Sequence, residues 1–293
     1  MKKGIDGKTG IMGIIGGNIS KTLSPYLHNS LIKHYLLNDC YLPFQITLKQ
    51  LSLAVEGIRA LNIRGVNVTV PYKEKSMEFM DKVDDAAMRI GAINTIVNNH
   101  ELLYGYNTDY TGFKRSLLEG TETKIQGKNA VVLGAGGAAR AILYALCQEG
   151  IKEILIFNRT LDKAEIIKRE YHSYFPESLI QIFSLKDKCL QDKIAGTDFL
   201  INTTPLGSYP DVDLNPLPED IVINQNLIAY DLIYYPTKTS FLRQAEKVGA
   251  IIKNGAEMLV YQAVESFYLW TGIRPEKEIV QKLIHDLANE NHF

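Results

Sequence analysis

Lys73 closes the run Asn67-Val68-Thr69-Val70-Pro71-Tyr72-Lys73, which reads as a strand leaving through a proline turn into a helix over Lys73–Met80. A lysine at a helix N-terminus stands at the positive end of the dipole, which disfavours its ammonium form and suits it to proton transfer. Taken alone, it is as readily a solvated surface charge. Further along, Gly105-Tyr106-Asn107-Thr108-Asp109-Tyr110 places Thr108 and Asp109 ahead of another helix, where either is a natural N-cap. If Asp109 meets Lys73, the two can hold an alcohol and take its proton as hydride leaves. Spacing alone leaves that meeting open. Ser20-Lys21-Thr22-Leu23-Ser24-Pro25 offers clustered hydroxyls before a helix with Pro25 at its first position. Ser24 is either that helix's N-cap or, with Thr22, a carboxylate binder. His28, one turn in, is expected to pack or to face solvent rather than to react.

A second chemistry lies in Ala130-Val131-Val132-Leu133-Gly134-Ala135-Gly136-Gly137-Ala138-Ala139-Arg140. This puts G-x-G-x-x-A between a strand and a helix, the dinucleotide fingerprint. Gly134 permits the tight turn, Gly136 lets backbone approach a pyrophosphate, and Ala139 lets helix and strand pack closely. The uncapped N–H groups of the helix start then face the phosphates. The next strand of such a unit places an acidic residue on the adenosine ribose in NAD enzymes. Here Asn158-Arg159-Thr160 and Lys163 stand there instead. A guanidinium and an ammonium suit a 2′-phosphate, which points to NADP over NAD. The plainer alternative is an exposed arginine at a helix start.

The elements that position these groups follow from periodicity. Short β-branched runs alternate with longer amphipathic segments, the pattern of a parallel sheet covered by helices. Strands are expected at Ile11–Ile15, Cys40–Gln45, Gly65–Val70, Ala92–Val97, Leu102–Tyr106, Ala130–Leu133, Glu153–Phe157, Asp198–Asn202, Leu227–Asp231 and Ala250–Lys253. Helices are expected near Pro25–Leu37, Leu48–Leu61, Lys73–Met80, Asp84–Ile90, Asp109–Glu119, Gly137–Gln148, Leu161–Tyr171, Thr239–Val248, Ala256–Thr271 and Pro275–Ala288. The strands around Asn98-Asn99-His100-Glu101 suit a hairpin. The expected architecture is an N-terminal α/β substrate domain over 1–108, a Rossmann-like doubly wound NADP domain over 109–254, and C-terminal helices over 255–293 returning to the first. The site is expected in the cleft between the two.

Composition narrows the classes. The chain has 293 residues, 46% hydrophobic and 22% charged, as in an ordinary globular protein rather than a disordered or fibrous one. With 32 Lys+Arg against 33 Asp+Glu, no global field draws it to nucleic acid or an anionic membrane, so a small-molecule ligand is expected. No apolar run approaches the ~18 residues of a membrane helix. Met1-Lys2-Lys3 is not followed by an export-leader core, because Asp6 and Lys8 interrupt it. Cys40, Cys147 and Cys189 form no C-x-x-C pair and the six histidines no ligand spacing. A cytoplasmic protein without metal is expected.

In order along the chain, several motifs together resemble the shikimate dehydrogenase family of NADP-dependent oxidoreductases in aromatic amino-acid biosynthesis. They are Thr22-Leu23-Ser24-Pro25 with His28-Asn29, Asn67 to Lys73, Gly91-Ala92-Ile93-Asn94-Thr95, Gly105 to Asp109, the Gly134 loop, Asn158-Arg159-Thr160, Asn202-Thr203-Thr204-Pro205-Leu206-Gly207, and Gly255 with Met258-Leu259 and Gln262-Ala263. The resemblance implies the fold just described and reversible reduction of 3-dehydroshikimate to shikimate. It implies that Lys73 transfers the proton with Asp109 as partner. Thr22, Ser24 and Tyr234 would hold the substrate carboxylate, and Thr69, Asn94 and Gln262 the ring hydroxyls. For NADP it implies Asp85, Gly134, Ala135, Gly136, Gly137, Ala138, Asn158, Arg159, Thr160, Lys163, Leu232, Gly255 and Met258. A homodimer is compatible with the family. The chain departs from the family's Ser-x-Ser at Thr22, whose extra methyl bears on the choice between shikimate and quinate. The alternatives are a quinate/shikimate dehydrogenase using NAD or NADP, and a non-catalytic NADP-binding regulator, which ought to have lost Lys73, Asp109 or the amides.

Overall fold

The computed structural model describes residues 4–121, 123–187 and 189–289; the Met1-Lys2-Lys3 start lies outside them. The chain forms two compact units, Met1–Gly112 with Val260–Phe293, and Phe113–Leu259. Both have the α/β architecture that the alternating periodicities demand.

The first unit runs β1 (Gly10–Gly16), α1 (Ser24–His34), β2 (Asp39–Gln45), α2 (Leu51–Ala60), β3 (Gly65–Val68), β4 (Lys82–Val83), α3 (Asp85–Ile90), β5 (Thr95–Asn99), β6 (Leu102–Tyr106) and the start of α4 (Asp109–Thr121). Its sheet has the order β2-β1-β3-β5-β6-β4. The β2, β1 and β3 strands are parallel, whereas β5 joins β3 and β6 antiparallel. This register sets Asn67 opposite Thr95. One face of the sheet packs on Leu51, Val55 and Ile58 of α2, whose apolar side chains recur at helical spacing.

The second unit continues with β7 (Asn129–Leu133), α5 (Gly137–Gln148), β8 (Glu153–Asn158), α6 (Leu161–Tyr174), β9 (Leu179–Ser184), α7 (Leu190–Ala195), β10 (Phe199–Asn202), β11 (Ile228–Asp231), α8 (Ser240–Lys247), β12 (Ile251–Lys253) and the start of α9 (Ala256–Thr271). All six strands are parallel, in the order β12-β11-β10-β7-β8-β9. The order reverses at β7, which is the doubly wound topology. Residues 130–133 have no exposed surface, so this strand reads as an unbroken apolar run rather than an alternation. Beyond α9 lies α10 (Lys277–Asn289), in the first unit.

Several local expectations change. Lys73–Met80 is not an α-helix; the carbonyl of Lys73 accepts from the Ile93 N–H, leaving only a short 3-10 turn over Lys75–Phe79. The strand expected from Ala92 begins at Thr95, because the Ala92 carbonyl accepts from the Asn107 side chain instead of a neighbouring strand. The hairpin turn narrows to His100-Glu101, at φ of 50° and 69°, in place of the glycine or asparagine such a turn favours. Asn98 supports it by accepting from the Glu101 N–H. Leu23, rather than Ser24, precedes the first turn of α1, so Pro25 is its second residue. The elements β4, β9 and α7 are additional to those expected.

One glycine is required by packing. A Cβ on Gly65 would lie 2.2 Å from Trp270 Nε1 and 2.4 Å from the Ile96 carbonyl, to which that indole donates. Gly65→Ala is therefore expected to lower unfolding free energy by about 1–3 kcal/mol, measured by urea titration of far-UV circular dichroism. An unchanged midpoint would show that α9 can shift without cost.

Candidate active site

Lys73 and Asp109 meet. Lys73 Nζ lies 2.6 Å from Asp109 Oδ2, with 13% and 8% of the two side chains exposed. Lys73 is held by its backbone, since the carbonyl bonds to Ile93 while the Tyr72 N–H bonds to Thr69. Tyr72 anchors the same segment through its hydroxyl to the Ile46 carbonyl. Asp109 opens α4, and its N–H bonds to Asn107 Oδ1. Its carboxylate does not cap the helix. One oxygen takes Lys73 and the other accepts from Asn94 Nδ2 at 2.8 Å, so both are fixed.

Asn94 is oriented in turn. Its Oδ1 accepts from the Thr108 N–H at 2.7 Å, which forces the amide NH₂ toward Asp109 and Thr108 Oγ1. Gln262 Oε1 lies 3.5 Å from the same NH₂. The unit thus brings Lys73, Asn94, Asp109 and Gln262 into one cluster. Thr22 donates to Ser24 Oγ at 3.2 Å, and Ser24 is buried at the start of α1. Thr69 is tied by its N–H to Ile15.

Residues that spacing did not single out hold this cluster from behind. Ser266 of α9 is wholly buried, with its hydroxyl 2.8 Å from Thr95 Oγ1 and 3.1 Å from Thr108 Oγ1. It accepts from Asn67 Nδ2 at 3.0 Å and donates to the Gln262 carbonyl. Asn67 Oδ1 accepts from Tyr41. Burial raises the Tyr41 phenol well above its ordinary range, so it stays a neutral donor. The one legible signal was polar residues at core-facing positions of a strand and a helix. His28 is also buried, stacked 4.3 Å from Tyr41 and tilted against Trp270. Burial lowers it to about 3, offset in part by Asn67, and leaves the ring neutral.

In the second unit Gly134 has φ of 109°, and its N–H bonds to the Phe157 carbonyl. Gly136 precedes α5 with no side chain capping the helix, and a Cβ there would meet nothing within 4 Å. The Gly134 N–H is thus taken, while Gly136, Gly137 and Ala138 stand at an uncapped helix start, the kind of backbone end that binds a pyrophosphate. After β8, Asn158 Nδ2 donates to the Thr160 carbonyl. Arg159 and Lys163 are exposed and make no ion pair among the described residues. Leu232, Tyr234, Gly255 and Met258 belong to this unit as well. A Cβ on Gly255 would lie 2.0 Å from the Leu232 carbonyl. Asp85 lies in the other unit, exposed in the first turn of α3, where its charge complements the helix dipole.

A doubly wound sheet with this open glycine loop, and a separate unit presenting a lysine–carboxylate pair among amides, define a dinucleotide-dependent α/β oxidoreductase. Three family models match: the shikimate dehydrogenase substrate binding domain over residues 14–96, shikimate / quinate 5-dehydrogenase over 116–205, and the shikimate 5′-dehydrogenase C-terminal domain over 255–284. The NADP(+) shikimate dehydrogenase of Caldanaerobacter subterraneus subsp. tengcongensis is 43% identical over 96% of this chain and 98% of its own length. A crystal structure of a shikimate dehydrogenase in complex with NADP+ superposes with a TM-score of 0.89 at 35% identity, covering 99% of each chain. That of Listeria monocytogenes, in complex with shikimate and NAD, gives 0.87 at 35%, covering 97% of this chain and 99% of its own. The chain belongs to the shikimate dehydrogenase family.

The neutral, buried His28 has a pH consequence. Between its unfolded value of 6.5 and its folded value of about 3, the unfolded chain binds a proton that the native ring refuses. Stability should therefore fall as pH drops through that window, by about 2 kcal/mol between pH 7 and pH 5. Burial raises buried Asp231 to about 6, which acts with the opposite sign, but it is common to wild type and variant. Urea midpoints across this range should decline less steeply in His28→Leu; parallel declines would exclude His28 as the source.

Proposed function

We propose that this chain catalyses the reversible NADP-dependent reduction of 3-dehydroshikimate to shikimate, with Lys73 and Asp109 as its proton-handling pair. The 2.6 Å contact between these two largely buried groups, in a chain of this family, carries the reading. In the reductive direction the Lys73 ammonium gives its proton to the oxygen of the reacting carbonyl, and the hydroxyl so formed donates to the Asp109 carboxylate. In the oxidative direction the same pair receives the hydroxyl proton. Thr22 and Ser24 donate hydroxyl hydrogen bonds to the substrate carboxylate, while Thr69, Asn94 and Gln262 read the ring hydroxyls. A site of this polarity rejects analogues lacking a hydroxyl, because its own groups would be left unpaired.

NADP supplies or accepts the hydride when bound. The Gly134–Ala138 loop holds its pyrophosphate. Asn158, Arg159, Thr160 and Lys163 hold the 2′-phosphate end, where two exposed cations that make no ion pair among the described residues suit an added dianion. Leu232, Gly255 and Met258 line the nicotinamide end. The chain has three free cysteines, and burial raises Cys147 to about 12, which suits a reducing compartment such as the cytoplasm.

Initial rates with shikimate or quinate, each with NADP+ or NAD+, test the assignment. Shikimate with NADP+ should dominate, and Arg159→Ala should raise the KM for NADP+ at least tenfold with little effect on that for NAD+. A dominant quinate rate would make the Thr22 methyl, rather than a serine, the determinant of substrate choice; a dominant NAD+ rate would exclude Arg159 as a phosphate ligand. Lys73→Ala should lower kcat by ~10² or more with cofactor affinity retained. Near-full turnover in that variant would remove Lys73 from proton transfer.

A further inference from the structure

Asp231 is the last residue of β11 and is fully buried. Its Oδ1 accepts from Asn202 Nδ2 and from the Ile233 N–H, each at 3.0 Å, and its Oδ2 accepts from Thr239 Oγ1 at 2.6 Å. All three donors are neutral. Lys238 and Lys253, which follow it along the chain, pair with Glu246 and Glu257 instead. Among the described residues no cation pairs with Asp231. A buried carboxylate without a counter-charge is expensive to maintain. An asparagine in its place would retain most of these hydrogen bonds, so bracing the adjoining loops does not by itself require the charge. Burial raises the group to about 6, which leaves it ionised at neutral pH.

The place of this charge in the sheet suggests its use. In a doubly wound unit the dinucleotide lies across the carboxyl ends of the strands, with its pyrophosphate at the first strand–helix turn. Here that turn follows β7, and Arg159 after β8 marks the adenosine end, so β10 and β11 take the nicotinamide end. Asn202 ends β10 and Asp231 ends β11, and the two are hydrogen-bonded to each other. The oxidised nicotinamide ring carries one positive charge; the reduced ring carries none.

We propose that Asp231 is a fixed negative charge at the nicotinamide end that favours the oxidised cofactor over the reduced one. The inference rests on the NADP reading of this unit. In the reductive direction the carboxylate stabilises the positive charge that develops as the hydride departs, without touching the reacting atoms. Asp231 is accordingly a positioning residue of the electrostatic kind, distinct from the proton-handling pair in the other unit.

Isothermal titration of NADP+ and of NADPH into wild type and Asp231→Asn at about pH 7.5 tests the proposal. The variant is nearly isosteric and removes only the charge. The ratio of the Kd for NADP+ to that for NADPH should rise about fivefold or more. A purely structural role would change both constants by one factor. Equal changes, no change, or a falling ratio would overturn the proposal. If Asp231→Asn does not fold, Asp231→Ser, which also removes the charge, gives the same ratio. Wild-type protein that binds neither form would refute the NADP reading itself, and this inference with it.

Discussion

The substrate unit depends on one requirement: every polar group sealed behind Asp109 must find a partner inside the protein. Asn67, Asn94, Thr95, Thr108 and Ser266 are buried together, and leaving any one unsatisfied would cost about 1–3 kcal/mol. Their solution is a shared set of hydrogen bonds that joins β3, β5, the residues before α4, and α9. The amide of Asn94 then has only one way to face, and Asp109 inherits its orientation. Precision at the Lys73–Asp109 pair is thus a by-product of satisfying the core. Gln262 benefits equally, because Ser266 holds the carbonyl one turn along the same helix.

The second unit handles charge in another way. Its sheet is apolar on both faces, so its chemistry is confined to the carboxyl ends of the strands. There Gly134 makes the tight turn and Gly136 precedes an uncapped helix start, while two exposed cations follow β8. The first unit works through one close, shielded ion pair. The second offers exposed charge for a large anion, which salt will screen more strongly.

How much of this was legible in the sequence varies with the range of the forces involved. The G-x-G-x-x-A loop was readable because its glycines answer to local backbone demands, and Gly134 does adopt a positive φ. The α/β architecture followed from periodicity. Lys73 was singled out on the expectation of a helix dipole that the structure does not provide, since the Lys73 carbonyl is drawn to Ile93 across the unit. Ser24 and Asp109 both looked like helix caps, and neither serves as one: Leu23 precedes α1, and the Asp109 carboxylate is claimed by Lys73 and Asn94. The role of Ser266, and that of Asn67 at the head of the Lys73 run, leaves no local mark because it is set by partners far away in sequence. A serine in the middle of an amphipathic helix carries no local mark of what it will touch.

Trp270 is the sole tryptophan of the chain, and it occupies the space left by Gly65 with its indole bonded to the Ile96 carbonyl. It is shielded from solvent and packed against neutral His28. The protein therefore carries an intrinsic fluorophore in the substrate unit, whereas the cofactor unit contributes only tyrosines. Indole emission reports the melting of one unit selectively, and backbone ellipticity reports both. Whether the two units unfold as one cooperative body is readable from the native chain without attaching a label.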